Sequence, residues 1–112
     1  MARTPSNFVN TTQLSTSAAD VVGVVPTSTQ AIVRKLSFRN TGASTRTVTV
    51  YVIASGGSAG TTNELAVKAI PPGKQWNCLE IQGEVLNAAM KAQAKQDAGT
   101  DVNANCSGTN VT

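Results

Sequence analysis

The sequence contains no histidine, which removes at once the commonest general base and the commonest metal ligand. Its two cysteines, Cys78 and Cys106, match no zinc-ligand spacing and have no histidine to complete a set. A cysteine nucleophile would be equally short of its usual base partner. Both thiols are therefore expected as buried, reduced small residues, with a disulfide formed later in an oxidising medium as the alternative. Aromatic rings are scarce: Phe8, Phe38, Tyr51 and Trp76 are the whole supply. No stretch approaches the ~20 apolar residues of a membrane-spanning helix. The opening Met-Ala-Arg-Thr-Pro-Ser-Asn has no apolar core of a secretory signal, so synthesis and folding in the cytosol of the producing cell are expected.

Acidic groups are few and scattered. Glu80 and Glu84 are close in sequence, but Gly83 and an expected turn lie between them, and they read as solvated loop charges. Ser55-Gly-Gly-Ser-Ala-Gly60 lacks the Gly-Lys-Ser/Thr ending of a phosphate-binding loop and reads as a flexible connection. Asp97, Thr100 and Asp101 offer oxygen atoms for a loose surface cation and nothing more specific. These residues point away from an enzyme. No catalytic, cofactor-binding or dedicated metal-binding residue is nominated.

What is present is a strand-forming composition. The 112 residues suit one domain, and the apolar share is carried mostly by Val and Ala beside abundant Thr, Ser and Asn. Residues 1–7 read as a flexible arm, and residues 8–112 as a single all-β domain. Phe8 to Ser15 suits a short strand, at an edge, and Val21 to Val25 a second apolar run closed by Pro26. In 31–40, Ile32, Leu36 and Phe38 fall on one face, with Arg34 breaking the pattern there, and Val33, Lys35, Ser37 and Arg39 on the other. In 46–53, Val48, Val50 and Val52 alternate with Thr47, Thr49 and Tyr51. The short Asn40-Thr-Gly-Ala-Ser44 link predicts that these two runs form a hairpin.

Pro71-Pro72-Gly73 is a firm turn, followed by a short strand bearing Trp76, which reads as a core plug. Residues 84–96 have the best helix propensity in the chain, yet Met90, Ala92 and Ala94 alternate with polar residues. A strand over 89–96 is preferred. Val102, Ala104 and Cys106 then mark a last strand. Seven or eight short antiparallel strands of this kind predict a small β-sandwich or jelly roll.

The net charge is +3, and Arg34, Lys35, Arg39 and Arg46 are its densest group. Without a run of cations or interleaved aromatics, they read as a solvated or interface-facing set, not a nucleic-acid footprint.

Two stretches carry a resemblance: "AIVRKLSFRNTGASTRTVTVYVIASGGSAGTTN" and "AIPPGKQWNCLEIQGEVLNA", followed by an Ala-rich strand. From residue 8 to about 107 the chain resembles small virion-associated proteins of tailed bacteriophages. The Pro72-Gly73 turn and the Gly83 to Leu86 segment match that pattern, whereas 20–25 lacks the aromatic typical there. The resemblance implies a β-sandwich located in the virion that coats, cements or joins its parts. A capsid decoration protein is expected, bound in many copies to the major capsid protein or other virion proteins and homo-oligomeric on the particle, with no nucleic acid or membrane as partner. A tail-fibre, baseplate or neck component is the alternative, and a carbohydrate-binding module stacking Trp76 or Tyr51 on host glycans a second. The expected contact surfaces are the shared outer face of 34–39 and 46–51 and the arm at 1–8, with Arg3, Phe8, Arg34, Lys35, Arg39, Arg46 and Tyr51 as the nominated residues.

Overall fold

Alternation of β-branched and small polar residues becomes strand almost everywhere in the computed structural model, which describes residues 2–112. Nine strands are formed: β1 Arg3–Gln13, β2 Ala19–Val22, β3 Gln30–Asn40, β4 Arg46–Ile53, β5 Glu64–Ile70, β6 Gln75–Asn77, β7 Val85–Leu86, β8 Lys91–Gln96 and β9 Val102–Val111. They make two antiparallel sheets. The long sheet has the order β1-β9-β3-β6, with β7 also on β3, and the short sheet runs β2-β8-β4-β5. First thus pairs with last, second with next to last, and β4 with β5 in the middle. This is the strand order of a jelly roll, a ribbon of strand pairs rolled into a two-sheet sandwich.

That order replaces the expected β3–β4 hairpin. The two runs lie in different sheets, and residues 41–45 form an arch from one to the other. The reason is Asn40, whose side chain is fully buried at the arch. Its Nδ2 donates to the carbonyls of Ser44 (2.7 Å) and Ile70 (2.8 Å), and its Oδ1 accepts from the Gly42 amide (3.0 Å). A buried carboxamide used this fully fixes the chain's change of sheet. Gln96 does the same beside it. Its Nε2 donates to the Leu14 carbonyl (2.6 Å), and its Oε1 accepts from the Asp101 amide (3.2 Å) at the crossing from β8 to β9.

The polarity of β3 also differs from the sequence expectation. Its pairing with β9 slips between Val33 and Lys35, so Arg34 is the extra residue of a β-bulge. The slip changes the phase of the strand. Val33 is buried before it, and Leu36 and Phe38 after it, while Arg34 and Lys35 both stay outside. Ile32, expected inside, is only partly buried. The strand reading of 89–96 holds from Lys91, with Ala92, Ala94 and Gln96 fully buried on β8 between β2 and β4, whereas Ala89 and Met90 belong to the preceding turn, Ala89 at φ 70°. Pairing on both sides outweighs the helix propensity of an Ala-Lys-Gln segment, which is worth only tenths of a kcal/mol per residue.

Residues 3–7, expected as part of an arm, form the first half of edge strand β1, paired from Arg3 opposite Val111 to Asn7 opposite Ser107. Met1, the first residue of that expected arm, lies outside the described residues. Polar side chains hid this strand from the sequence, because an edge strand needs ladder hydrogen bonds more than an apolar face. A second slip follows at Phe8, whose ring turns inward over Gly108 and packs against the core. A side chain at Gly108 would collide with the Ile32 carbonyl oxygen and come within 2.7 Å of the Phe8 ring. Trp76 stacks on Phe38 with ring centroids 5.4 Å apart, as a core plug should.

Two outcomes follow. Asn40→Ala leaves the Ser44 and Ile70 carbonyls and the Gly42 amide without their partner, and is expected to cost about 2–4 kcal/mol in urea unfolding. Gly108→Ala should destabilise by about 3 kcal/mol or more, whereas Gly60→Ala, in open space on extended backbone, should cost far less.

Candidate functional site

The outer face of the long sheet gathers three of the seven nominated contact residues. β9 lies between β1 and β3, so residues directly opposite one another share a face. One row across the sheet is Gln13, Asn103, Arg39 and Gln75. The next runs Asn105, Ser37 and Asn77, and Asn105 Nδ2 donates to Thr11 Oγ1 (3.3 Å). The third is Asn7, Ser107 and Lys35. Every member is an amide, a hydroxyl or a cation, and no Asp or Glu occurs in any strand of this sheet.

Three open grooves cross this face, two of them lined by Arg34 and two by Lys35. One, of about 470 Å³, crosses from Pro5 and Asn7 over Ser107 to Arg34. A second, of about 240 Å³, runs from Arg34 and Lys35 to Leu79 and Gln82. A third, of about 250 Å³, runs from Lys35 to Arg39, Gln75 and Asn103. Leu79, 68% exposed, is the apolar element of the second groove.

The remaining nominated residues are elsewhere. Arg3 is exposed at the end of β1 in the same sheet. Phe8 faces the core, as described. Arg46 opens β4 in the short sheet, where Nε donates to Asp101 Oδ2 (2.7 Å) in the one ion pair among the described residues. Tyr51, expected on an outer face shared with Arg39, is 4% exposed and lies in the opposite sheet, so the joint 34–39 and 46–51 surface does not exist. The error descends from the hairpin: once β3 and β4 arch apart, their outer faces point in opposite directions. Asp97 and Asp101, the cation-site suggestion, are likewise engaged, Asp97 by the Thr47 amide (3.1 Å) and Asp101 by Arg46. Among the described residues no cluster of three His, Cys, Asp or Glu could hold a metal ion.

Sequence reasoning missed Asn103, Asn105, Ser107, Gln75, Asn77 and Leu79. The alternation of Val102, Ala104 and Cys106 already turned the β9 polar residues outward. What it lacked was the neighbour relation that sets them beside Lys35 and Arg39.

Cys78 and Cys106 are both free and buried. Cys106 pairs with Leu36 on one side, and the Cys78 amide donates to the Leu36 carbonyl from the other. With one strand between them they are separated by roughly 9–10 Å, beyond the ~7 Å reach of a disulfide. Burial, with Cys78 nearby, pushes the Cys106 thiol up from 9.0 to about 12, and burial also raises Cys78.

No family model and no curated protein matches the chain. Among solved structures it is similar to chains from the structures of infectious bursal disease virus, Gt strain (12% identity, TM-score 0.27) and Gx strain (13%, 0.28). The matches cover 97% and 96% of this chain and 29% of each viral chain, so the chain spans under a third of their length.

The thiols generate a pH expectation. Below pH 9 both folded and unfolded states hold the Cys106 proton; between pH 9 and about 12 the unfolded state ionises first. Stability should therefore fall as pH rises through that window, by about 1.4 kcal/mol per pH unit for one thiol. Urea midpoints at pH 8 and 11 should fall further in the parent than in Cys106→Ala, which keeps only the share of Cys78; the difference between the two is the Cys106 slope.

Proposed function

We propose that this chain is a virion structural protein of a tailed bacteriophage, a decoration protein that lays the outer face of the long sheet across major-capsid subunits. The observation that carries the reading is that face itself. Arg34, Lys35 and Arg39 are exposed there with no carboxylate partner, among rows of amides and hydroxyls. From strand spacings, the three long strands β1, β9 and β3 present about 15 × 35 Å, which the three-residue β6 extends on one side. That approaches the roughly 800 Å² each partner contributes to a standard protein interface. The jelly roll is a recurrent architecture of capsid and lectin domains, and it supplies this surface as a stiff platform. The resemblance over residues 8–107 directs the reading to phage virions.

The mechanism is linkage. A protein that binds only the assembled shell lowers the free energy of that state, and stabilises it in proportion to occupancy. Bridging subunits needs area and positional rigidity, which ladder hydrogen bonds across the whole sheet provide. Carbohydrate recognition through rings finds less support: Tyr51 is buried, and one face of Trp76 is stacked on Phe38.

The test is the copy number per purified particle by quantitative mass spectrometry against the major capsid protein. A simple ratio demanding hundreds of copies is expected. A few dozen copies would move the protein to tail or neck, and absence would reject the virion role.

A further inference from the structure

We infer that the bulge face docks an acidic protein segment, with Arg34 and Lys35 as its charged centre. The inference rests on the reading of this face as a docking surface and adds the chemistry of the occupant. A regular strand would turn one of two consecutive residues into the core; the slip between Val33 and Lys35 exposes both. Bulges recur where a strand must re-aim side chains toward a partner. Here the two cations arrive side by side on the second groove, Arg34 also lining the first and Lys35 the third, with Arg39 further along the third. None of these three grooves is lined by Asp or Glu, and the single ion pair among the described residues is elsewhere, so these cations form no internal ion pair there. Arg and Lys left unneutralised on a stiff face attract carboxylates by complementarity.

The surroundings favour a polypeptide over other polyanions. Asn103, Asn105, Gln75 and Asn77 offer paired donors and acceptors that match peptide groups. Leu79 adds an apolar contact within reach of Arg34. No exposed ring lines these three grooves: their one aromatic, Phe38, is buried in the core, so neither a sugar nor a base has a stacking platform there.

The experiment titrates the full chain with a short poly-glutamate peptide, and with an oligouronate and an oligonucleotide of equal charge. Three proteins are compared: the parent, Arg34→Gln/Lys35→Gln, and Lys91→Gln/Lys95→Gln, which removes the same charge from the opposite sheet. The peptide is expected to bind the parent and the 91/95 variant within about twofold of each other, and the 34/35 variant about tenfold or more weakly. Binding should weaken steeply with added salt. Equal losses in both variants, no peptide binding by the parent, or tighter binding of either other polyanion would overturn the inference. Circular dichroism and urea midpoints check that the variants fold, since all four side chains are at least partly exposed. Failure here is distinct from failure of the virion role. Face-specific peptide binding by a chain absent from particles rejects only the latter. Particles that retain hundreds of copies of the 34/35 variant reject only the former.

Discussion

The buried carboxamide of Asn40 ties the two sheets together where the chain changes layer. It holds the Ser44 carbonyl and the Gly42 amide of its own arch and the Ile70 carbonyl at the end of β5. Its backbone is also occupied, accepting from Gly73 (2.8 Å) and donating to Lys74 (3.0 Å) at the neighbouring turn. One residue thus fastens the β3–β4 and β5–β6 crossings to each other. Gln96 closes the adjacent corner by joining Leu14 to Asp101. Arches carry backbone groups that no ladder can satisfy, and a fully used buried amide is the economical way to satisfy them in a dry interior.

Fixing the arches fixes which strands become neighbours, and that in turn builds the surface. Because β3 leaves β4, it is free to lie between β9 and β6. Its outward residues then meet Asn103, Asn105 and Ser107 on one side and Gln75 and Asn77 on the other. Bulges at Phe8 and Arg34 bracket β9 at the level of residues 106–108. One turns a ring into the core over Gly108, and the other turns a cation out of it. The same local slip therefore serves packing on one strand and surface chemistry on the other. Pairing on both sides holds β3 and β9 in the middle of the sheet, which suits a contact surface whose value lies in fixed geometry.

How much could be read in advance depended on whether the signal was local. The turn at Pro72-Gly73, the burial of Ala92 and Ala94, and the inward set Val102, Ala104 and Cys106 were all legible, because period-two alternation is a property of consecutive residues. Arg34 was legible as an anomaly without its resolution. A charge on the apolar face announces either a phase slip or a mistaken face, and only pairing with Gly108 and Ser107 decides which. The hairpin misled because Asn-Thr-Gly-Ala-Ser suits a tight turn and an arch equally. The choice lay with Ile70, thirty residues downstream of Asn40, whose carbonyl the amide captures.

The sequence by itself determined the all-β class, the inward residues of most strands, the scarcity of exposed rings and the surplus of cations over carboxylates. Each of these is set by composition or by spacing along a single strand. Only the tertiary structure decided that Tyr51 and Arg46 belong to one sheet and Arg34, Lys35 and Arg39 to the other, that residues 3–7 complete an edge, and that a sheet whose strands carry no Asp or Glu exists. Those outcomes depend on which backbone groups pair across long separations. That pairing is selected by the sum of core packing and buried hydrogen bonds over the whole chain, and no single segment encodes it.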